Sequence, residues 1–185
     1  MHRTQNPAVD TADTADETIT PAVILRGAAR YLETRGWVQN VYYGGTPGDA
    51  FPPACADGAI GMAAFGFCYP TPMNATDVPG FRSYNNARAF LNAHLLGLGY
   101  RPPCDPWCPE DEYCLCANDT TEVVFAWNDD DTRTCGEIVA AFNAAADEWD
   151  WTHATDEQLA AYAEYATGIE PQPIRAAYLT WLAAR

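Results

Sequence analysis

The chain has 185 residues, 48% of them hydrophobic, with 25 acidic residues against ten basic ones and a formal net charge of −15. That is one domain's length, with enough apolar content to bury a core without covalent help. So acidic a chain lacks the positive face that a nucleic-acid backbone requires and is repelled by anionic membrane surfaces, and no run of about eighteen apolar residues offers a membrane span. All ten basic residues are arginine; beside abundant Ala, Gly and Pro, this reflects a GC-rich genome rather than a chemical need.

Residues 1–19 are polar and rich in Thr, Asp and Ala. They lack the apolar stretch of a secretory leader and read as a disordered or arm-like tail. A helix then starts with Thr20 as N-cap and Pro21 at the first position. Val23, Ile24, Ala28, Tyr31 and Leu32 recur at helical spacing, and Gly36 ends it. Trp37 follows as a core plug, and residues 38–54, rich in Gly, Pro and Tyr, form a loop. The stretch from Cys55 to Gly66 reads as a buried helix of small residues. Its internal glycines each cost ~1 kcal/mol against alanine, so tertiary packing must hold it.

Residues 67–82 read as loop, and a third helix over about 83–96 buries Ala87, Phe90, Leu91 and Leu95. Residues 100–120 carry four prolines and four cysteines and look like an insertion. The run Glu122 to Trp127 is β-branched and aromatic and reads as a strand, followed by a turn over Asn128 to Asp131. Thr134 and Glu137 form a capping box that opens a helix with a stripe of Ile138, Val139, Phe142, Ala145 and Trp149. Thr155 and Gln158 repeat that signal before Leu159, Tyr162 and Ala163. A last helix from Pro173 sets Ile174, Ala177, Tyr178, Trp181 and Leu182 on one face. The fold class is therefore mainly α: a single compact domain of five to six helices, at most a short strand pair, and long Pro/Gly-rich loops. It divides into the tail (1–19), a core (20–150) with the Cys-rich insertion (100–120), and a C-terminal helical appendage (151–185).

Four thiols lie close together in Cys104-x3-Cys108-x5-Cys114-x-Cys116. Zinc held by them would contribute ~10–16 kcal/mol to ordering the loop. The spacing departs from paired C-x2–4-C knuckles. Two disulfides, free thiols, or a site completed by Cys55 or Cys68 are the alternatives, so the cofactor expectation is none or one structural zinc. A thiol enzyme is the sharpest catalytic reading. Cys55 begins a helix, where the macrodipole lowers a thiol's pKa, and the order Cys55, His94, Asn128 matches Cys-His-Asn hydrolases. Against it, His94 falls inside a helix beside Leu95 and Leu96, and Cys55 opens a run of small residues suited to packing. The structural reading of all three outweighs the catalytic one. Asp129, Asp130 and Asp131 lack the Gly and distal Glu of a calcium loop and suit a turn before a helix N-terminus. Trp107, Tyr42 and Tyr43 fall in loops, where exposure would let them anchor an interface.

Trp127-Asn128-Asp129, Arg133-Thr134 and Glu137-Ile138-Val139 together resemble the W-N-D…R-T-x-E signature of an uncharacterised, domain-of-unknown-function family of high-GC Gram-positive bacteria and their phages. Ala28 to Trp37 is similar to that family's first helix, and Cys55-Ala56-Asp57-Gly58-Ala59-Ile60 to its C-A-x-G-A helix start. The resemblance spans about residues 21–149, with longer loops at 67–82 and 100–120, and implies a class and source but no chemistry. The motif residues read as scaffold: Asn128 and Asp129 bond amides in their turn, and Arg133 pairs with the neighbouring acids. The expectation is an uncharacterised, phage-related intracellular protein that binds another protein without catalysis, in the host cytoplasm or, as a component of a larger assembly, in the virion. The alternative is a hydrolase using Cys55.

Overall fold

A computed structural model describes residues 19–46, 48–101, 123–167 and 174–185. Helix α1 (Pro21–Arg35) begins as its signals dictate. Thr20 accepts a hydrogen bond from the Val23 amide (3.4 Å), and Gly36, at φ 96°, closes the helix by donating to Leu32 O. Ile24, Leu25, Ala28, Ala29 and Leu32 form one buried stripe. Helix α2 (Ala56–Phe65) is buried along most of its length. A Cβ on Gly58 would sit 2.3 Å from Tyr42 O and one on Gly61 3.0 Å from Pro72. Those glycines therefore let the loop and a short 3-10 turn (Pro72–Asn74) press directly onto the helix.

Helix α3 (Phe81–Gly97) follows Gly80, and helix α5 (Cys135–Thr152) and helix α6 (Asp156–Ala166) each open on the expected capping box. Helix α7 is Ile174–Ala183.

The one element of different type is helix α4 (Val123–Asn128), where the β-branched, aromatic run reads as a strand. A strand needs a neighbour for its backbone groups, and none is offered among the described residues. Instead Asn92 Oδ1 of α3 accepts from the Val124 amide (3.1 Å), satisfying a helix N-terminus from another element. Val123, Val124 and Trp127 are buried in that position, so burial overrides β propensity. Seven α-helices and no strand thus occur among the described residues; two isolated bridges, Trp37 to Ala54 and Tyr43 to Ala54, stand in for the strand pair.

Helix α1 lies at the centre. It packs most extensively on α5 and also on α2 and α3, while the short α4 is wedged against α3 and α2. Leu25, Leu32, Ile60, Leu91, Leu95, Ile138 and Phe142 fill the interior. Helix α7 packs on α5, with the Tyr178 ring edge-on to Trp151 (5.7 Å), and buries Tyr178 and Trp181. Helix α6 buries no residue and touches α7 through the rings of Tyr162 with Tyr178 (5.5 Å) and Trp181 (5.6 Å). No described helix is long and apolar enough to cross a membrane. The expected tail and the cysteine insertion lie outside the described residues, apart from residues 19, 100 and 101.

Candidate functional site

Two distant segments meet at the start of α2. The loop after α1 doubles back on itself: the amides of Val38, Gly44 and Cys55 donate to Ala54 O (3.1 Å), Pro53 O (2.7 Å) and Tyr42 O (3.0 Å). Asn128, at the end of α4, is inserted between this loop and α2. Its Oδ1 accepts from Trp37 Nε1 (2.8 Å) and the Ala56 amide (2.9 Å). Its Nδ2 donates to Val38 O (3.3 Å) and Asp129 Oδ1 (2.7 Å). An amide side chain has two acceptor and two donor positions, and here all four are occupied. Gln39 Nε2 then donates to the carbonyls of Asn128 and Asp130, and the Asn40 amide to Asp129 Oδ1. The sequence pattern suggests that Asn128 and Asp129 serve their own turn. The structure instead sends Asn128 to residues 72 and 91 positions away.

Arg133 pairs with the acids around it, as its position suggests: Asp130 and Glu137 each lie 3.8 Å from its guanidinium, which also covers the Trp127 ring at 5.5 Å. Asp130 is further engaged by the Thr132 amide and hydroxyl. The acidic turn is thus used as a tether and a helix lead-in, and among the described residues no group of His, Cys, Asp and Glu is placed to hold a metal ion.

Beside the hub lies a buried charge. Asp57, in the first turn of α2, is fully buried. Tyr84 Oη donates to its Oδ2 (2.7 Å), and Arg88 Nε stands 3.0 Å from Oδ1. That second contact is electrostatic rather than a well-aligned hydrogen bond. Burial raises the Asp57 carboxyl above its ordinary range, while Arg88 and Tyr84 pull it back. The Arg88 guanidinium also rests over the Phe125 ring (5.5 Å), against whose edge Tyr42 packs. A lone acid in the otherwise apolar and small run from Cys55 to Phe65 was the one signal for this cluster; its partners on α3 carry none.

Of the catalytic candidates, Cys55 and Asn128 come together and His94 does not join them. Cys55 is the N-cap of α2, its Sγ accepting from the Gly58 amide (3.4 Å). Burial outweighs the helix terminus and pushes its thiol up to about 12, with the charges of Asp57 and Asp129 acting the same way. His94 sits near the end of α3, where burial lowers its pKa and the charges acting on it are Glu148 of α5 and Arg175 of α7. Cys55, Cys68 and Cys135 are free thiols. Cys104, Cys108, Cys114 and Cys116 lie outside the described residues, as does Trp107. Tyr42 and Tyr43 are half-buried, and the exposed large apolar side chains include Phe51, Phe67, Met73 and Val23.

The model of a family described as a family of unknown function (DUF6197) matches residues 16–148. The chain belongs to this family. No curated protein and no solved structure matches it. The DUF6197 match takes in every member of the hub and of the Asp57 cluster, and it stops before Asp150, α6 and α7. In this chain the matched span holds α1 to α4, most of α5 and the polar hub, while the last two helices lie beyond it.

Proposed function

We propose that the protein works by binding another protein and performs no catalysis. The observation that carries this reading is Asn128: each polar position of the most motif-like side chain is consumed by an internal bond, leaving nothing to offer a substrate. The Cys55 thiol, held protonated at neutral pH by burial, supports it. So do aromatic side chains displayed on loops, Phe51 and Phe67, each 48% exposed, since aromatic residues are enriched at protein interfaces. A place in phages of high-GC Gram-positive bacteria, in the host cytoplasm or in a virion, rests on the motif resemblance and the all-arginine composition.

The test places a photo-reactive residue at position 51 or 67 of the full chain in its native host. A discrete covalent adduct with one protein, lost when unlabelled chain is in excess, is expected. Stoichiometric labelling of Cys55 at neutral pH by a thiol-directed acyl substrate analogue, with the fold intact, would overturn the reading.

A further inference from the structure

A cleft of about 640 Å³ opens between α1, α5 and α7. Its apolar wall is one face of α7: Ala176, Leu179, Leu182 and Ala183. Its polar edge is Arg26 of α1, clasped by Asp150 (2.6 Å) and Asp147 (2.7 Å) of α5. Two carboxylates against one guanidinium leave this edge with a charge of −1. The Arg26 and Asp147 side chains are 42% and 43% exposed and Asp150 is 18% exposed, so the Asp147 half of the clasp is screened by solvent and contributes little net free energy. An incoming cation can therefore share the carboxylates without a large loss. The volume equals about twenty water molecules, enough for a few side chains from one helical face and too little for a folded domain.

We infer that this cleft is the docking groove for a basic amphipathic helix of a partner protein. Its aliphatic face lies along α7, and an arginine or lysine meets Asp147 and Asp150. The inference rests on the protein-binding reading above and adds the site and the chemistry of the partner. Small side chains at Ala176, Thr180 and Ala183, spaced i, i+4 and i+7, let a helix backbone approach closely. Val23, one turn before Arg26 and 59% exposed, extends the apolar contact along α1. A second copy of this chain fits poorly, because it would bring another net charge of −15 toward the same acidic edge. The α7 wall lies outside the family match, whereas Arg26 and Asp147 lie within it.

The experiment measures fluorescence anisotropy of a labelled synthetic helix about four turns long, with leucines on one face flanked by arginines. A control helix has glutamate in place of each arginine. The arginine helix is expected to bind the full chain, to weaken by about tenfold or more between low salt and ~0.3 M salt, and to lose about tenfold or more in affinity to Ala176→Trp, which fills the groove from an exposed position. The glutamate helix is expected not to bind. Equal affinity for Ala176→Trp, with its melting temperature unchanged, would mean that bulk acidity alone attracts the peptide and would sink the groove. Equal binding of the two helices, or binding of neither, would overturn it as well. A photo-reactive residue at position 176 separates the two proposals: a partner captured from position 51 or 67 but not from 176 leaves the protein-binding reading standing and removes this one.

Discussion

Replacing Asn128 with alanine removes, in one step, the acceptor of two N–H groups and the donor to the Val38 carbonyl. The Ala56 amide is fully buried, so its loss carries the desolvation penalty of an unmet donor, ~1–3 kcal/mol. Trp37 is half-buried and water can partly replace its partner, so its share is nearer ~1 kcal/mol. The sum, ~2–4 kcal/mol, is a large part of the ~5–15 kcal/mol that holds a typical domain together. For a chain of this size it corresponds to a fall in Tm of about 4–16 °C. Urea unfolding followed by circular dichroism gives the free energy, and Trp fluorescence reports the hub. An isosteric control, Asn128→Asp, keeps an oxygen for both N–H donors but turns the other atom into an acceptor facing Val38 O and Asp129 Oδ1. That position favours the protonated form, so the folded-state pKa of the new carboxyl lies above its unfolded value of ~3.9. The variant is then closest to wild type below the ordinary carboxylate range and loses ground as pH rises through the raised folded value. If Asn128→Ala unfolds within ~0.5 kcal/mol of wild type, as neutral surface changes do, the hub is not what joins the loop, α2 and α4.

Arg88→Met strands the Asp57 carboxylate and is expected to cost ~3–5 kcal/mol. Because the Asp57 carboxyl, already raised by burial, climbs further without its cation, the deficit against wild type shrinks at about pH 5 and grows toward about pH 8; urea midpoints at the two pH values that show a constant deficit would contradict the buried-charge account. Gly58→Ala places a Cβ 2.3 Å from Tyr42 O and should cost ~1–3 kcal/mol, whereas Gly97→Ala, with nothing within 4 Å, should stay within ~0.5 kcal/mol; calorimetric melts of both variants check the contrast. In native protein under pulsed alkylation, Cys68 and Cys135, both partly exposed, should react before Cys55, which is modified only as the fold opens. Mass spectrometry that finds Cys55 alkylated first would point to an activated thiol.

The helix ends of α1, α5 and α6 were legible because their causes are local: a hydroxyl three residues before an amide, a proline that presets φ, a glycine that accepts a left-handed turn. Thr20, Thr134 and Thr155 act within one turn of their own chain, and no partner from elsewhere can undo them. The α4 segment shows where such reasoning stops. Val123 to Asn128 has the composition of a strand, yet its conformation was settled by Asn92, a residue of α3 whose position no window around α4 contains. The candidate site was readable to the same limited degree. The motif residues could be listed, and Cys55 could be placed at a helix start. Whether that thiol was activated turned on burial, which works against the helix terminus and prevails here.

By itself, the amino-acid sequence determined the helical class, the capped boundaries and the net charge of −15. These follow from side chains acting on their own neighbours or from charge summed over the chain. Only the tertiary structure decided that Asn128 joins three segments, that Asp57 is a buried carboxyl beside Arg88 rather than a solvated acid, and that α7 leaves a cleft against α1 and α5. Each of those depends on groups brought together across scores of residues, where desolvation and geometry set the outcome and local pattern holds no information about either.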